Sequence, residues 1–119
     1  MDLKMELLQS WEATYKKGQL SLWILLALKD GPKFLDEIQS FIQKESHDSI
    51  SCEDQSLYRA LRKFTVVEMV AFELHPGNRG PERKSYRLTT LGAEVLEVFA
   101  ERNIKPLYSN KLKDLMNIK

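Results

Sequence analysis

Basic side chains are concentrated in the middle of the chain, where their types suit contact with a nucleic acid. Residues 59–87 hold seven Lys/Arg against three Asp/Glu, a net charge of +4, whereas residues 1–58 hold six against ten and residues 88–119 five against four. Guanidinium groups match phosphate oxygens and the edge of guanine, Gln can pair with adenine, and Ser or Tyr hydroxyls can fix a phosphate. The middle third therefore favours DNA contact, although an ordinary solvated surface carries similar charge.

Six of the candidate residues fall on one predicted helix. Leu57, Leu61 and Phe64 recur at helical spacing, which predicts a helix over residues 52–64 with these three side chains in the core. The outward face of this helix then carries the polar and basic candidates Gln55, Ser56, Tyr58, Arg59, Arg62 and Lys63. Tyr58 lies at the border of that face, where a phosphate contact and a half-buried core tyrosine are both open.

After this helix the period of the apolar residues changes from 3.6 to 2, which predicts a β-hairpin. The two strands are indicated by alternating apolar residues over 70–75 and 85–88. The connection over residues 75–82 is rich in Gly and Pro and longer than a tight turn, so it should project as a loop. The loop and the second strand would bring Arg79, Arg83 and Lys84 to the DNA backbone or the minor groove.

Further helices are expected on both sides of these elements. They are predicted over residues 2–17, over 19–29, over 33–44, and from a cap at Thr89 or Thr90 to Asn103, with an interruption at Pro106 and a further turn or short helix within 107–119. The helix over 19–29 is apolar on nearly every side and should form the centre of the core. The predicted fold is mainly α with a small β-hairpin, a winged helix-turn-helix with an extra N-terminal helix and a C-terminal helix.

Composition limits the class of protein. With 119 residues, 43% apolar and 29% charged, the chain is expected to be one soluble domain over 1–119, comprising an N-terminal helix (1–17), a winged helix-turn-helix (18–89) and a C-terminal helix and tail (90–119). No stretch reaches the roughly 20 apolar residues of a membrane span and no secretory signal is apparent, so we expect a cytoplasmic protein.

Catalysis and metal binding are not expected. The sequence offers no Gly-rich phosphate loop, no nucleophile elbow and no carboxylate pair placed for acid–base work. Cys52 is the only cysteine, and His47 and His75 have no partners at metal-ligand spacing, so neither a metal nor another cofactor is predicted. Cys52 is interpreted as a plain small residue in preference to a redox switch.

Several motifs resemble those of the PadR-like transcriptional regulators over about residues 18–104. They are Leu57-Tyr58-Arg59-Ala60-Leu61-Arg62, Arg83-Lys84-Ser85-Tyr86-Arg87-Leu88-Thr89 followed by Leu91-Gly92, and Leu25-Leu26-Ala27-Leu28 with Gly31-Pro32 and Glu37-Ile38. The resemblance implies that residues 52–64 form a recognition helix and that the hairpin is a wing. It also implies a homodimeric repressor, paired through the last helix with help from the first, on double-stranded operator DNA with two half-sites.

Three positions depart from the family pattern. Leu35-Asp36 stand where Gly-Tyr is usual, which suggests a different start of the third helix, and Glu68-Met69-Val70 replaces a Glu-Gly-Leu, which removes the expected Gly turn. Glu53 and Asp54 open the recognition helix, where they would repel phosphate but favour the helix dipole. Helix capping is the preferred interpretation, with Ser51 as the N-cap and Asp54 completing a variant of the capping box.

Two surfaces remain open to alternatives. Leu8 and Trp11 of the first helix and Val95, Leu96 and Phe99 of the last are predicted to form a dimer interface, but they could instead cover the chain's own core. Trp11 and Trp23 could line a pocket for a flat aromatic effector, as the resemblance implies for some members, although packing is favoured. The rival function is a winged-helix module that binds protein and no DNA, which the near-neutral net charge of +1 supports.

Overall fold

The computed structural model describes residues 2–77 and 79–118. Asn78 of the predicted hairpin connection, and Met1 and Lys119 at the ends of the predicted domain, lie outside the described residues. The elements are α1 (Leu3–Lys16), α2 (Gln19–Asp30), α3 (Leu35–Glu45), α4 (Asp54–Val66), β1 (Val70–His75), β2 (Arg83–Leu88), α5 (Thr90–Asn103), a 3-10 turn (Lys105–Tyr108) and α6 (Asn110–Leu115). The mainly α architecture with one hairpin, a winged helix-turn-helix with added helices at both ends, is confirmed.

The hydrophobic core forms around α2, as predicted. Ile24, Leu25, Ala27 and Leu28 are buried on this helix, and the fully buried side chains of the whole core are Ile24, Ile38, Ile42, Leu57, Leu61 and Val70. Each such side chain contributes about 1.5–3 kcal/mol relative to an exposed position. The core therefore fixes α3, α4 and the base of the hairpin to α2, which sets the orientation of the recognition helix.

The third helix begins later than the predicted residue 33, because the backbone of Lys33 pairs with the hairpin. The Lys33 amide donates to the Tyr86 carbonyl at 2.9 Å, and the Tyr86 amide donates to the Lys33 carbonyl at 2.8 Å. Phe34 is the N-cap of α3, and its amide donates to the Glu37 carboxylate at 2.9 Å. Residue 33 thus forms an isolated antiparallel bridge with β2 and does not start the first turn of a helix.

The recognition helix also begins later than predicted, and the predicted cap is wrong. Helix α4 begins at Asp54 with Glu53 as its N-cap, and neither Ser51 nor Glu53 caps it with a side chain. The Asp54 carboxylate instead accepts a hydrogen bond from the side-chain amide of Gln39 on α3. This bond joins the middle of α3 to the first turn of α4.

The turn between α4 and β1 forms without the expected Gly. Glu68 adopts a left-handed conformation with φ of 64°, so the chain reverses one residue before Met69. The hydroxyl of Thr89 donates to the Glu68 carbonyl at 2.6 Å and accepts from the Gly92 amide at 3.0 Å. Thr89 is therefore the N-cap of α5, one of the two predicted residues, and it ties that helix to the end of α4.

The hairpin is antiparallel and only its base reaches the core. Val70 pairs with Leu88 and Phe72 with Tyr86, and the strands continue outward to the pair His75 and Arg83. Downstream of α5, the short helix α6 confirms the predicted element in the tail. Within the described part of the chain, no helix combines the length and the apolar composition that crossing a bilayer requires.

Candidate nucleic-acid interface

All six predicted residues of the recognition helix lie on its exposed face. Because Leu57 and Leu61 are fully buried, the opposite face of α4 points away from the core. Residues Gln55, Ser56, Tyr58, Arg59, Arg62 and Lys63 are each exposed. Tyr58 is 45% exposed, so its ring lies at the surface and its hydroxyl can reach a ligand. We call this set the α4 face.

The hairpin lies beside the α4 face and forms a groove with it. Tyr58 and Arg62 line the helix side of the groove, and Phe72, Lys84 and Tyr86 line the hairpin side. Burial raises the pKa of Tyr86, the nearby Tyr58 raises it further, and the charge of Arg62 lowers it. Tyr86 therefore stays neutral at physiological pH, and the groove presents the two cations of Arg62 and Lys84 to a ligand.

The wing, defined as β1, β2 and residues 76–82, carries the other predicted contacts. Arg79 and Lys84 are exposed, and the Lys84 ammonium lies 4.5 Å from the centroid of the Phe72 ring. Arg83 is arranged differently, because its Nη2 donates to the Asp36 carboxylate at 2.7 Å. The structure thus brings Lys84 to the groove and directs Arg83 to α3.

Sequence reasoning missed the partners of Arg83. The Arg83 guanidinium lies 4.1 Å from the centroid of the Phe34 ring in addition to its ion pair with Asp36. Asp36 departs from the family pattern, and its partner Arg83 is remote in sequence. Local spacing contains no signal that could have paired them.

The acids at the start of α4 form no side-chain capping bond with that helix. Asp54 lies in the first turn, where a negative charge favours the helix dipole, but its side chain bonds to Gln39. Glu53 is exposed at the N-cap position. The predicted capping box of Ser51 and Asp54 is therefore wrong, whereas the positions of Glu53 and Asp54 agree with the interpretation that these acids favour the helix dipole.

The predicted dimer residues divide into exposed and buried ones. Helix α1 has no buried residue, and Trp11 is 71% exposed. Leu8, Val95 and Phe99 are 42%, 42% and 44% exposed. Leu96 is only 6% exposed and packs in the chain's own core. Its position therefore agrees with the alternative that it covers that core, and it offers little surface to a partner.

An apolar groove of about 700 Å³ separates the N-terminal and C-terminal helices. Trp23 and Leu22 of α2 line one wall, Ala93 and Ala100 of α5 line another, and Tyr15 of α1 closes one side. Trp23 is partly buried against the core, whereas Trp11 is not among the residues that line the groove. Of the two tryptophans, Trp23 is therefore the one placed to meet a small apolar molecule.

Neither metal chemistry nor thiol chemistry is indicated in the described residues. Within 2–77 and 79–118, no three His, Cys, Asp or Glu side chains come together where a metal could bind. Burial raises the pKa of the Cys52 thiol, and the neighbouring Asp54 carboxylate raises it further. Both effects disfavour the thiolate, which is the reactive form of a cysteine.

Comparison with known proteins agrees with this geometry. A family model described as the transcriptional regulator PadR-like family matches residues 24–98, which contain α4 and the wing. A PadR-like transcription factor from Bacteroides fragilis is 25% identical, with 91% of this chain and 96% of that chain covered and a TM-score of 0.63. No curated protein matches the sequence significantly.

Two further solved structures are similar. The structure of Bacillus subtilis PadR in complex with operator DNA is 26% identical over 67% of this chain and 45% of that chain, with a TM-score of 0.61. A PadR-like regulator from Bacillus cereus shares the fold, with 23% identity, 89% and 99% coverage and a TM-score of 0.67. The family match spans more than half of the sequence, and this chain belongs to the PadR-like family of transcriptional regulators.

Proposed function

We propose that this protein represses transcription by binding operator DNA as a homodimer. The observation that carries the proposal is the position of the wing beside the α4 face, which brings Arg62 and Lys84 into one groove. An α-helix with exposed Gln, Ser and Arg fits the major groove, and a neighbouring basic hairpin fits the flanking backbone. The operator complex of Bacillus subtilis PadR supports the same ligand for this chain.

The residues of the interface divide by chemistry. Gln55, Ser56 and Arg59 are proposed to meet base edges in the major groove, because amide and guanidinium groups can form paired hydrogen bonds there. Tyr58, Arg62 and Lys63 would hold phosphates on the helix side, and Arg79 and Lys84 would hold them on the wing side. This division predicts that the first group sets sequence preference and that the others set affinity and salt dependence.

A homodimer is proposed because α1 and α5 carry apolar side chains that this chain leaves exposed. Trp11 and Leu8 on α1, and Val95 and Phe99 on α5, would pack against a second copy. A two-fold dimer would place two copies of α4 on two half-sites of an operator. The winged-helix unit over 18–89 would then read DNA while residues 1–17 and 90–119 join the subunits.

A flat aromatic effector is proposed for the apolar groove that contains Trp23. The lining of this groove is mainly apolar and includes aromatic side chains, which suits a small apolar ligand. Binding there would contact α2 and α5 together, and so could change how the recognition helices are spaced. Quenching of Trp fluorescence by flat aromatic compounds in wild type, lost in Trp23→Phe and kept in Trp11→Phe, would support this site.

Sedimentation with and without a mixed-sequence DNA duplex tests the central proposal. Phosphate-driven binding should be evident at low salt and should fall steeply by about 0.3 M salt. Replacing both Arg62 and Lys84 with Ala should weaken binding to every sequence. The salt slope, which is the slope of the logarithm of the binding constant against the logarithm of salt concentration, should become shallower by about two. Lys111→Ala on α6 removes an exposed cation that does not line the groove and serves as the control. Absence of DNA binding at both salt concentrations would favour the alternative function, a winged-helix module that binds protein.

A further inference from the structure

The side chain of Arg83 forms a link between the outer half of the wing and the start of α3. Its guanidinium stacks on the Phe34 ring at 4.1 Å and pairs with Asp36 at 2.7 Å. The neighbouring strand adds His75, whose ring meets the edge of the same Phe34 ring at 5.5 Å with an interplanar angle of 85°. Two residues that pair across the hairpin therefore contact one aromatic side chain on the helix-turn-helix.

We propose that Arg83 and Asp36 position the wing against the α4 face, and that Arg83 is a positioning residue, whereas Arg79 and Lys84 bind phosphate. The inference rests on the proposed DNA-binding function and deepens it. It assigns to Asp36, an acidic residue in the first turn of α3, the task of fixing the angle of the hairpin. It also removes Arg83 from the predicted phosphate ligands.

The geometry of the hairpin explains why such a link is needed. At its base the hairpin is held by Val70 in the core and by the paired backbones of Lys33 and Tyr86. Arg83 lies three residues beyond Tyr86, about 10 Å farther along the strand at 3.4 Å per residue. In this outer half Leu74 is 57% exposed, so apolar burial contributes little to holding the strands. The Arg83 link acts where the core does not reach.

Charge explains why Arg83 is a poor phosphate ligand. The Asp36 carboxylate engages one edge of the guanidinium and offsets its charge, so a phosphate approaching the pair would meet that negative charge as well. Lys84 carries no such partner in the described part of the chain, since its ammonium rests on the Phe72 ring. Arg83 and Lys84, which are adjacent on β2, thus have different roles: Arg83 positions the wing and Lys84 binds phosphate.

Removal of the Asp36 carboxylate distinguishes the two possible roles of Arg83, positioning of the wing and binding of phosphate. If Arg83 positions the wing, Asp36→Asn should weaken DNA binding by about two- to fivefold, the range that an exposed ion pair can supply, and leave the salt slope unchanged. If Arg83 binds phosphate, Asp36→Asn frees a cation and should tighten binding, and Arg83→Ala should make the salt slope shallower by about one. Tighter binding in Asp36→Asn, or that loss of slope in Arg83→Ala, would overturn the proposal.

A charge exchange and a control complete the DNA measurements. Arg83→Asp alone should weaken binding, and the double variant Asp36→Arg with Arg83→Asp should recover most of the loss, because the ion pair is restored in reverse. No recovery would contradict a positioning role. Glu45→Gln, which removes an acid from the other end of α3, should not weaken binding, since Glu45 forms no ion pair with the described residues.

Hydrogen exchange tests the link without DNA. Amides of the wing should exchange several-fold faster in Asp36→Asn and in Arg83→Ala than in wild type, whereas amides of α4 should be unchanged. Glu45→Gln should behave as wild type. If wild type binds no duplex but wing exchange rises in both variants, the proposed function fails and the link stands. Equal exchange in all proteins would overturn the link whatever the DNA measurements give.

Discussion

Gly92, in the first turn of α5, lies against the backbone of Met69. A Cβ atom on Gly92 would overlap the Met69 carbonyl oxygen and would lie 2.8 Å from a methyl group of Leu88. The close approach brings α5 onto the start of β1 and the end of β2. It also allows the Met69 carbonyl to accept from the Thr89 amide at 3.0 Å. The Leu91-Gly92 motif therefore has a packing cause, since only Gly fits this approach.

Replacing Gly92 with Ala should destabilise the fold. The added methyl group meets backbone, which cannot rotate away, so the free energy of unfolding should fall by about 1–3 kcal/mol. Urea unfolding followed by circular dichroism measures this change. Gly80→Ala is the matched control, because a Cβ atom there would meet nothing within 4 Å. Equal stability of the two variants would contradict the proposed contact.

Replacing Glu68 with Gly should stabilise the fold. Glu68 has φ of 64°, a conformation that costs an L residue about 1–2 kcal/mol, and Gly avoids that cost while losing part of the gain to chain entropy. We expect a net increase of about 0.5–1 kcal/mol in the free energy of unfolding. Glu68→Ala keeps the Cβ atom and should give no increase, so a gain in that variant would point to the lost charge instead of the backbone.

The sequence predicted those elements that depend on residues close together in the chain. The apolar pattern of α2, the alternation of the hairpin and the cap at Thr89 all rest on short-range rules, and the structure confirms each. The exposed α4 face follows in the same way from the spacing of Leu57 and Leu61. Helical and strand periods are local properties, so one sequence is enough to read them.

The features that sequence reasoning missed depend on partners remote in the chain. The start of α3 is set by the pairing of Lys33 with Tyr86, and Ser51 fails to cap α4 because that helix begins later and Asp54 bonds to Gln39. The orientation of Arg83 depends on Asp36 in the same manner. No local rule predicts such pairs, and the proposed division of roles between Arg83 and Lys84 depends on one of them.

The Cys52 thiol should react slowly with alkylating reagents in the folded protein. Burial and the Asp54 carboxylate both raise its pKa, so less thiolate is present near neutral pH than in an unhindered cysteine. The rate should rise with pH and should increase when Asp54 is replaced by Asn. Rates of alkylation by iodoacetamide, compared with those in urea, measure the effect. A native rate equal to the unfolded rate would contradict it.

The exposed and buried residues of α5 should respond differently to substitution. Phe99→Asp and Val95→Asp place charge on an exposed surface, so they should convert the proposed dimer to monomer in sedimentation while the helical signal is kept. Leu96→Ala should instead lower the free energy of unfolding by about 2–5 kcal/mol, because Leu96 is buried in the chain's own core. Glu101→Gln, also on α5, serves as the control for surface substitution. If Phe99→Asp left the sedimentation coefficient unchanged at micromolar concentration, the interface would have to lie elsewhere, and α1 with Trp11 would be the next surface to test.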